Sequence, residues 1–209
     1  MGLLLDSAEL DDVVVAGGLG FVGGVTTNPT LLRQVTDEPV KHVAELLGAS
    51  EFPDVYYQPT GFRGELIDEA LEVWALDPER IVVKVPATPG GAVLASRLVA
   101  KGVRVSLTAA QAASAMIVAE AVGCASVIPY VDRAWRDPRI DNDLVRSLVG
   151  MRRGSTLVVA ASMKNVGQLT QAFVDGADSV TAPLAVLEQV LNHPAGLEAE
   201  LAFAGEYGG

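Results

Sequence analysis

The sequence predicts an α/β fold, a single (β/α)8 barrel domain over residues 1–209 with a helical tail from about residue 185. Three observations lead there. Short β-branched apolar runs alternate with longer amphipathic stretches, the pattern of strands that each feed a helix. The strand-like runs are apolar at nearly every position rather than at every second one, as in a parallel sheet covered on both faces. About eight such units start roughly 20 to 30 residues apart, and eight is the count that closes a barrel. The alternative architecture is a doubly wound open sheet. The first unit, "LLLDSAEL", speaks against it, because it has no glycine where a dinucleotide-binding turn needs three.

In chain order, strands are expected at 3–5 (LLL), 23–27 (GGVTT), 54–58 (DVYYQ), 81–86 (IVVKVP), 103–107 (VRVSL), 126–131 (SVIPYV), 156–161 (TLVVAA) and 179–182 (SVTA). Helical patterns fill the gaps, among them "GELIDEALEVWAL", "GAVLASRLVAKG", "AAQAASAMIVAEAVG" and "NVGQLTQAFVDGA". Glycine closes several of them, as helix C-termini prefer. The connection at 133–143, "RAWRDPRIDND", is the most irregular piece. The tail "LEAELAFAGEYGG" reads as a short helix with a frayed glycine end. No linker, low-complexity segment or repeat is visible.

A formal net charge of −11 gives an acidic surface. That argues against nucleic acid or an anionic membrane as a partner, and any anionic ligand then needs a local basic pocket. The N-terminus has an acidic residue at position six and no basic flank, so it does not read as a signal peptide, and no apolar run reaches the length of a spanning helix. The single cysteine, Cys124, cannot form an internal disulfide and reads as a small buried hydrophobe. Together these point to the cytoplasm. The two histidines, His42 and His193, lack metal-ligand spacing and read as helix-surface residues. No metal and no cofactor are expected.

In a barrel, chemistry sits at the C-terminal ends of the strands. Strand one ends in Asp6. Strand two ends in Thr26, Thr27 and Asn28, and strand three in Gln58. Strand four carries Lys84. Strand five ends in Ser106 and Thr108. Strand six carries Tyr130 and leads to Arg133. Strand seven ends in Ser162 and Lys164. Singly, each has a plainer reading: Asp6 as the cap of a following helix, Asn28 before Pro29 as turn chemistry, Thr108 as the cap of a helix at 109. Their convergence on one face favours a site.

Lys84 is the sharpest signal. The chain has four lysines, and Lys41 and Lys101 fall on helical stretches or their ends. Lys84 lies inside a strand, flanked by Val82, Val83, Val85 and Pro86. Desolvation disfavours a buried ammonium and lowers its pKa, and a neutral amine attacks carbonyls. The competing reading is a structural lysine paired with Asp6 or another carboxylate.

These residues carry a resemblance. "LLLDSAE", "GVTTNPTLL", "IVVKVPAT", "VIPYVDR" and "VVAASMKN" follow one another in the order and spacing of the transaldolase family, over roughly residues 3 to 190. The chain is most similar to its short members, the transaldolase-like proteins and fructose 6-phosphate aldolases. The resemblance implies a (β/α)8 barrel, no cofactor, a sugar phosphate substrate in carbohydrate metabolism of the pentose phosphate type, and a homo-oligomer in which "LNHPAGLEAELAFAGEYGG" meets a neighbouring subunit. It implies that Lys84 forms the Schiff base and that Asp6 moves the proton of the hydroxyl next to the cleaved bond. Thr108 would hold a proton-relaying water. Asn28, together with the strand-two end at Thr26, would bind the three-carbon unit, and Arg133 and Ser162 would hold the phosphate. Lys164 stands where many members have a second phosphate-binding arginine; an ammonium supplies the charge but not the bidentate fork.

Two positions separate the subgroups. Transaldolases usually place glutamate on strand three and phenylalanine on strand six, whereas the aldolases place glutamine and tyrosine. Gln58 and Tyr130 therefore imply aldolase-like release of dihydroxyacetone. The alternative is a true transaldolase that hands the three-carbon unit to an aldose phosphate, in a specialised sugar pathway. A remoter one is a non-catalytic sugar-phosphate-binding homologue. The chain departs from the family pattern at Ile128, where a smaller residue is usual; its side chain either narrows the donor pocket or points into the core. It departs also in "PTGFRGE" after Gln58 and at 133–143, where Trp135, Arg136 and Arg139 are candidates to line the acceptor site.

Overall fold

The computed structural model describes residues 2–60 and 66–207. Its elements in chain order are β1 (Gly2–Asp6), α1 (Leu10–Gly18), β2 (Val22–Thr26), α2 (Pro29–Val35), α3 (Pro39–Ala49), β3 (Asp54–Tyr57), α4 (Leu66–Trp74), β4 (Ile81–Pro86), α5 (Pro89–Val99), β5 (Val105–Ala110), α6 (Ala115–Val122), β6 (Ser126–Pro129), α7 (Val131–Arg136), α8 (Leu144–Met151), β7 (Leu157–Ala160), α9 (Val166–Val174), β8 (Ser179–Ala182), α10 (Leu184–Leu187) and α11 (Pro194–Tyr207). The eight strands form a closed parallel barrel in sequence order, with β8 pairing back onto β1 through Gly2–Ser179 to Leu5–Ala182. The (β/α)8 barrel predicted from the apolar runs is the fold.

Local chemistry sets the element boundaries. Prolines 29, 39 and 89 open α2, α3 and α5 at the first helical position, where the missing N–H costs nothing. Asn28, Thr88 and Asn165 cap α2, α5 and α9 by accepting backbone N–H bonds. Gly91 lets α5 turn back against β4: a Cβ there would fall 1.8 Å from the Pro86 carbonyl oxygen.

Alternation along the strands divides the buried residues in two. Outward-facing Leu5, Val25, Val55, Val83, Val85, Leu107, Val127 and Val158 join the large core beneath the helices. Inward-facing Leu4, Tyr56, Val82, Ile128, Val159 and Ala161 fill the barrel, with Tyr130 packed on them. Both faces are dry, which is why the strands read as continuous apolar runs. Cys124 is buried as expected, and burial pushes its thiol up to about 11.

Several expectations are corrected. β5 begins at Val105 and runs to Ala110 rather than stopping at 107, because its register on β4 extends through Pro86–Thr108. The strand ends in a bulge with Ala109 at φ +56, and α6 starts only at Ala115, so Thr108 caps no helix. β6 ends at Pro129, and Tyr130 keeps only an isolated bridge to Ala161 before α7 begins. The irregular 133–143 connection thus opens inside a helix. Asp6 caps nothing either; α1 starts at Leu10 without a side-chain cap. His42 is not on the surface. It is buried, with Nε2 2.7 Å from the Ala8 carbonyl oxygen, because that side of α3 packs on the α1 side of the barrel. Residues 61–65 of "PTGFRGE" and the final glycines lie outside the described residues. No described helix is long and apolar enough to cross a membrane.

Candidate active site

The polar strand ends meet around a cavity of about 150 Å³ at the C-terminal mouth of the barrel. Asp6, Thr26, Asn28, Lys84, Tyr130, Arg133, Ser162 and Lys164 line it, together with Ile128, Ala161, Met163, Thr181 and Pro183. A larger groove of about 330 Å³ lies between α5 and the segment entering α6. Its walls are mainly Ala87, Pro89, Ala92, Leu107, Ala115 and Val118, with no titratable group, so the smaller cavity is the candidate site.

Lys84 points inward from β4 and is 4% exposed. Its Nζ donates a 2.6 Å hydrogen bond to the Thr27 carbonyl oxygen, and among the described residues it has no ion pair. Burial pushes its pKa down to about 8, while the charge of Asp6 opposes the fall. About a tenth of the lysine is then neutral at pH 7, against well under a thousandth at an ordinary lysine pKa. The structural reading, an ammonium locked to a carboxylate, is not what the geometry shows.

Asp6 is held by a hydroxyl chain. Thr26 Oγ1 donates to Asp6 Oδ1 at 3.0 Å and lies 2.7 Å from Thr181 Oγ1. Thr26 has one proton, and giving it to Asp6 makes Thr181 the donor to Thr26. Thr26 therefore orients the carboxylate as well as lining the cavity. Asn28 has two uses at once. Its Oδ1 accepts from the backbone N–H groups of Thr30 and Leu31, both at 3.0 Å, so its turn role is real. The cap fixes which way the amide faces and leaves Nδ2 as the donor for a ligand.

At the outer wall, the Arg133 guanidinium carbon sits 4.9 Å from the centre of the Tyr130 ring, one helical turn away. Neither Arg133 nor Lys164 is ion-paired among the described residues. Ser162 adopts φ +68, a left-handed conformation that a non-glycine residue holds only when its surroundings impose it. Ile128 resolves both ways: it is fully buried in the barrel filling and its side chain also forms cavity wall.

Two candidates stand apart. Gln58 follows β3, half-buried, and is not in the cavity wall. Thr108 lies on the inward side of β5 next to Ile128, its Oγ1 buried with no hydrogen-bond partner among the described residues, and it too is outside the lining. Arg136 and Arg139 face an adjoining surface pocket that shares Arg133 with the cavity, each paired with an aspartate, Asp132 and Asp137. Strand-end reading missed Thr181, although the same rule carried to the eighth strand finds it. The Thr27 carbonyl left no sequence signal, because a backbone oxygen has none.

The family model described as Transaldolase/Fructose-6-phosphate aldolase matches residues 63–205. A probable transaldolase of Roseiflexus sp. (strain RS-1) is 33% identical over 199 residues, covering 93% of this chain and 91% of that protein. This chain belongs to the transaldolase/fructose-6-phosphate aldolase family. A probable transaldolase of Thermus thermophilus is 32% identical over 93% of this chain and 92% of its own, and one from Cytophaga hutchinsonii is 31% identical over the same shares. The family match spans β4 to β8 and so takes in Lys84, Tyr130, Arg133, Ser162 and Lys164. Asp6, Thr26 and Asn28 fall outside that match.

Proposed function

We propose that this family member makes and breaks the carbon–carbon bond between the first and second carbons beyond the ketone of a sugar phosphate, through a Schiff base on Lys84, as an enzyme resembling fructose 6-phosphate aldolase. The observation that carries the reading is a buried lysine with no ion pair among the described residues, at the same cavity as a carboxylate held by a hydroxyl chain; burial lowers the lysine's pKa.

The neutral Lys84 amine adds to the ketone carbon, and loss of water gives an iminium. Asp6 takes the proton of the hydroxyl on the far carbon of the bond that breaks, the carbon that becomes the aldehyde. The bond's electron pair moves into the iminium, an aldehyde phosphate leaves, and a dihydroxyacetone enamine stays on Lys84. Protonation of the enamine carbon and hydrolysis release dihydroxyacetone. Thr108, whose buried hydroxyl has no partner among the described residues, together with Gln58 and Tyr130, serves the water that relays these protons. The Asn28 amide donates to the hydroxyls of the three-carbon unit. Arg133, Ser162 and Lys164 take the phosphate, a local positive spot on an acidic chain.

A second reading rests on the relatives, which are named probable transaldolases. There the enamine attacks an acceptor aldose phosphate instead of being protonated. The reading also includes a homo-oligomer. The described side chains of α11 are all exposed, with Leu197, Leu201 and Phe203 turned to solvent, and a second copy is the partner proposed for them.

Borohydride reduction in the presence of fructose 6-phosphate, followed by intact mass, tests the chemistry. A dihydroxyacetone adduct on the wild type and none on Lys84→Met is expected; an adduct persisting on Lys84→Met sinks the lysine assignment. Free dihydroxyacetone formed without an acceptor identifies an aldolase. Product that needs an aldose phosphate identifies a transaldolase.

A further inference from the structure

We infer that Gln168 and Asp132, neither of which reaches the cavity, are positioning residues that lock the two phosphate-binding loops into one rigid unit. The inference rests on the proposal that Arg133, Ser162 and Lys164 hold the phosphate. Those three come from different places. Arg133 rides on α7 after β6, whereas Ser162 and Lys164 lie between β7 and α9. A phosphate gripped from two loops is bound tightly only if the loops keep a fixed separation.

Gln168 spans that separation. It sits in the first turn of α9 and is 6% exposed. Its Oε1 accepts the backbone N–H of Lys164 at 2.7 Å, and its Nε2 donates to Asp132 Oδ1 at 3.2 Å. Asp132, immediately before Arg133, is 8% exposed, and its second oxygen accepts from Arg136. The Gln168 N–H is itself held by Asn165 Oδ1 at 2.9 Å. Backbone bonds run alongside, from Val131 N–H to the Ala161 carbonyl oxygen at 2.9 Å.

The chemistry at both ends explains the residue types. The Lys164 N–H needs an acceptor and the Asp132 carboxylate needs a donor, and one primary amide supplies both. A glutamate at position 168 sets two carboxylates face to face in a buried place. The bond at Lys164 also lies two residues after Ser162, whose left-handed backbone needs an anchored chain on either side. Arg136 neutralises Asp132 from the solvent side, so the buried carboxylate is satisfied at both oxygens.

Swapping the polarity of the bridge tests it. Gln168→Glu should weaken inhibition of fructose 6-phosphate cleavage by inorganic phosphate about tenfold or more, since a misplaced group costs that much in a preorganised site. Borohydride trapping of dihydroxyacetone, which has no phosphate, should stay within about twofold of wild type, because the lysine end of the cavity is untouched. Adding Asp132→Asn in the same chain lets the new amide at position 132 donate to the new carboxylate at position 168, and should restore phosphate inhibition to within about threefold. Unchanged phosphate inhibition in Q168E overturns the inference. So does a parallel loss of trapping that D132N fails to rescue. Should Q168E not fold, Q168M, which removes both bonds without adding a charge, carries the same expectation on phosphate. A wild-type enzyme that traps dihydroxyacetone but ignores inorganic phosphate overturns the phosphate assignment itself, and the bridge with it.

Discussion

The floor and the mouth of the barrel are built by the same strands, two residues apart. At the floor the strands deliver Leu4, Tyr56, Val82, Ser106, Ser126 and Val159. One inward step further along they deliver Asp6, Gln58, Lys84, Thr108, Ile128 and Ala161. The floor closes on itself: apolar side chains fill it, and Ser126 donates to Ser106 at 2.7 Å. Burial there pushes the Tyr56 phenol up to about 12. Among the described residues the mouth leaves Lys84 without an ion pair and the Thr108 hydroxyl without a hydrogen-bond partner. A strand is therefore asked for two opposite things over two residues, and the stability of the first supports the cost of the second.

Removing the costliest mouth residue has the largest expected effect. Lys84→Met should lower turnover by about 10⁴-fold or more while stabilising the fold at pH 7 by about 3 kcal/mol, the equivalent of a lysine pKa moved from 10.5 to about 8. The sign follows from proton binding. Between pH 8 and 10.5 the unfolded wild type holds the extra proton, so wild-type stability rises across that window and the variant's advantage shrinks to nothing. Chemical denaturation of both proteins at pH 7 and pH 10 measures it; an equal difference at both values removes the buried-charge explanation. Adduct formation by the wild type should climb with pH up to about 8 and then level.

A break at the floor should show the reverse. Tyr56→Ala should cost about 3–5 kcal/mol of stability by opening a cavity, yet the molecules that remain folded should still trap dihydroxyacetone. Loss of trapping in a folded Tyr56→Ala protein contradicts the division between floor and mouth.

The finest probe is Asn28→Asp. Both oxygens of an aspartate can accept from Thr30 and Leu31, so the melting temperature should stay within about 2 °C of wild type. The donor toward the substrate is gone, and kcat/KM should fall about 10- to 100-fold. An equally active variant removes Asn28 from the substrate-binding set.

Much of this was legible in the sequence, for reasons that differ by residue. All eight strands announced themselves because a strand buried on both faces has no polar positions to blur it. Lys84 stood out for the same reason, as a charge in such a run. The end of β5 was not legible: "TAA" has no strong preference, and the length of β4 beside it decided how far the ladder ran. The burial of His42 was not legible either, since it depends on which side of α3 meets the barrel. Thr108 and Gln58 were picked by type and order, but both stand off the cavity wall, because whether an inward residue reaches it depends on the packing around it, which spacing does not encode.

One consequence follows from the seam between β1 and β8. Asp6 lies on the first strand of the barrel, but the hydroxyl that completes its support, Thr181, belongs to the last. Until β8 docks, β1 has an open edge and the carboxylate has only part of its scaffold. A chain emerging from the ribosome thus carries Lys84 before the ring that surrounds it is complete. Closure of the ring is the step that finishes both the fold and the cavity.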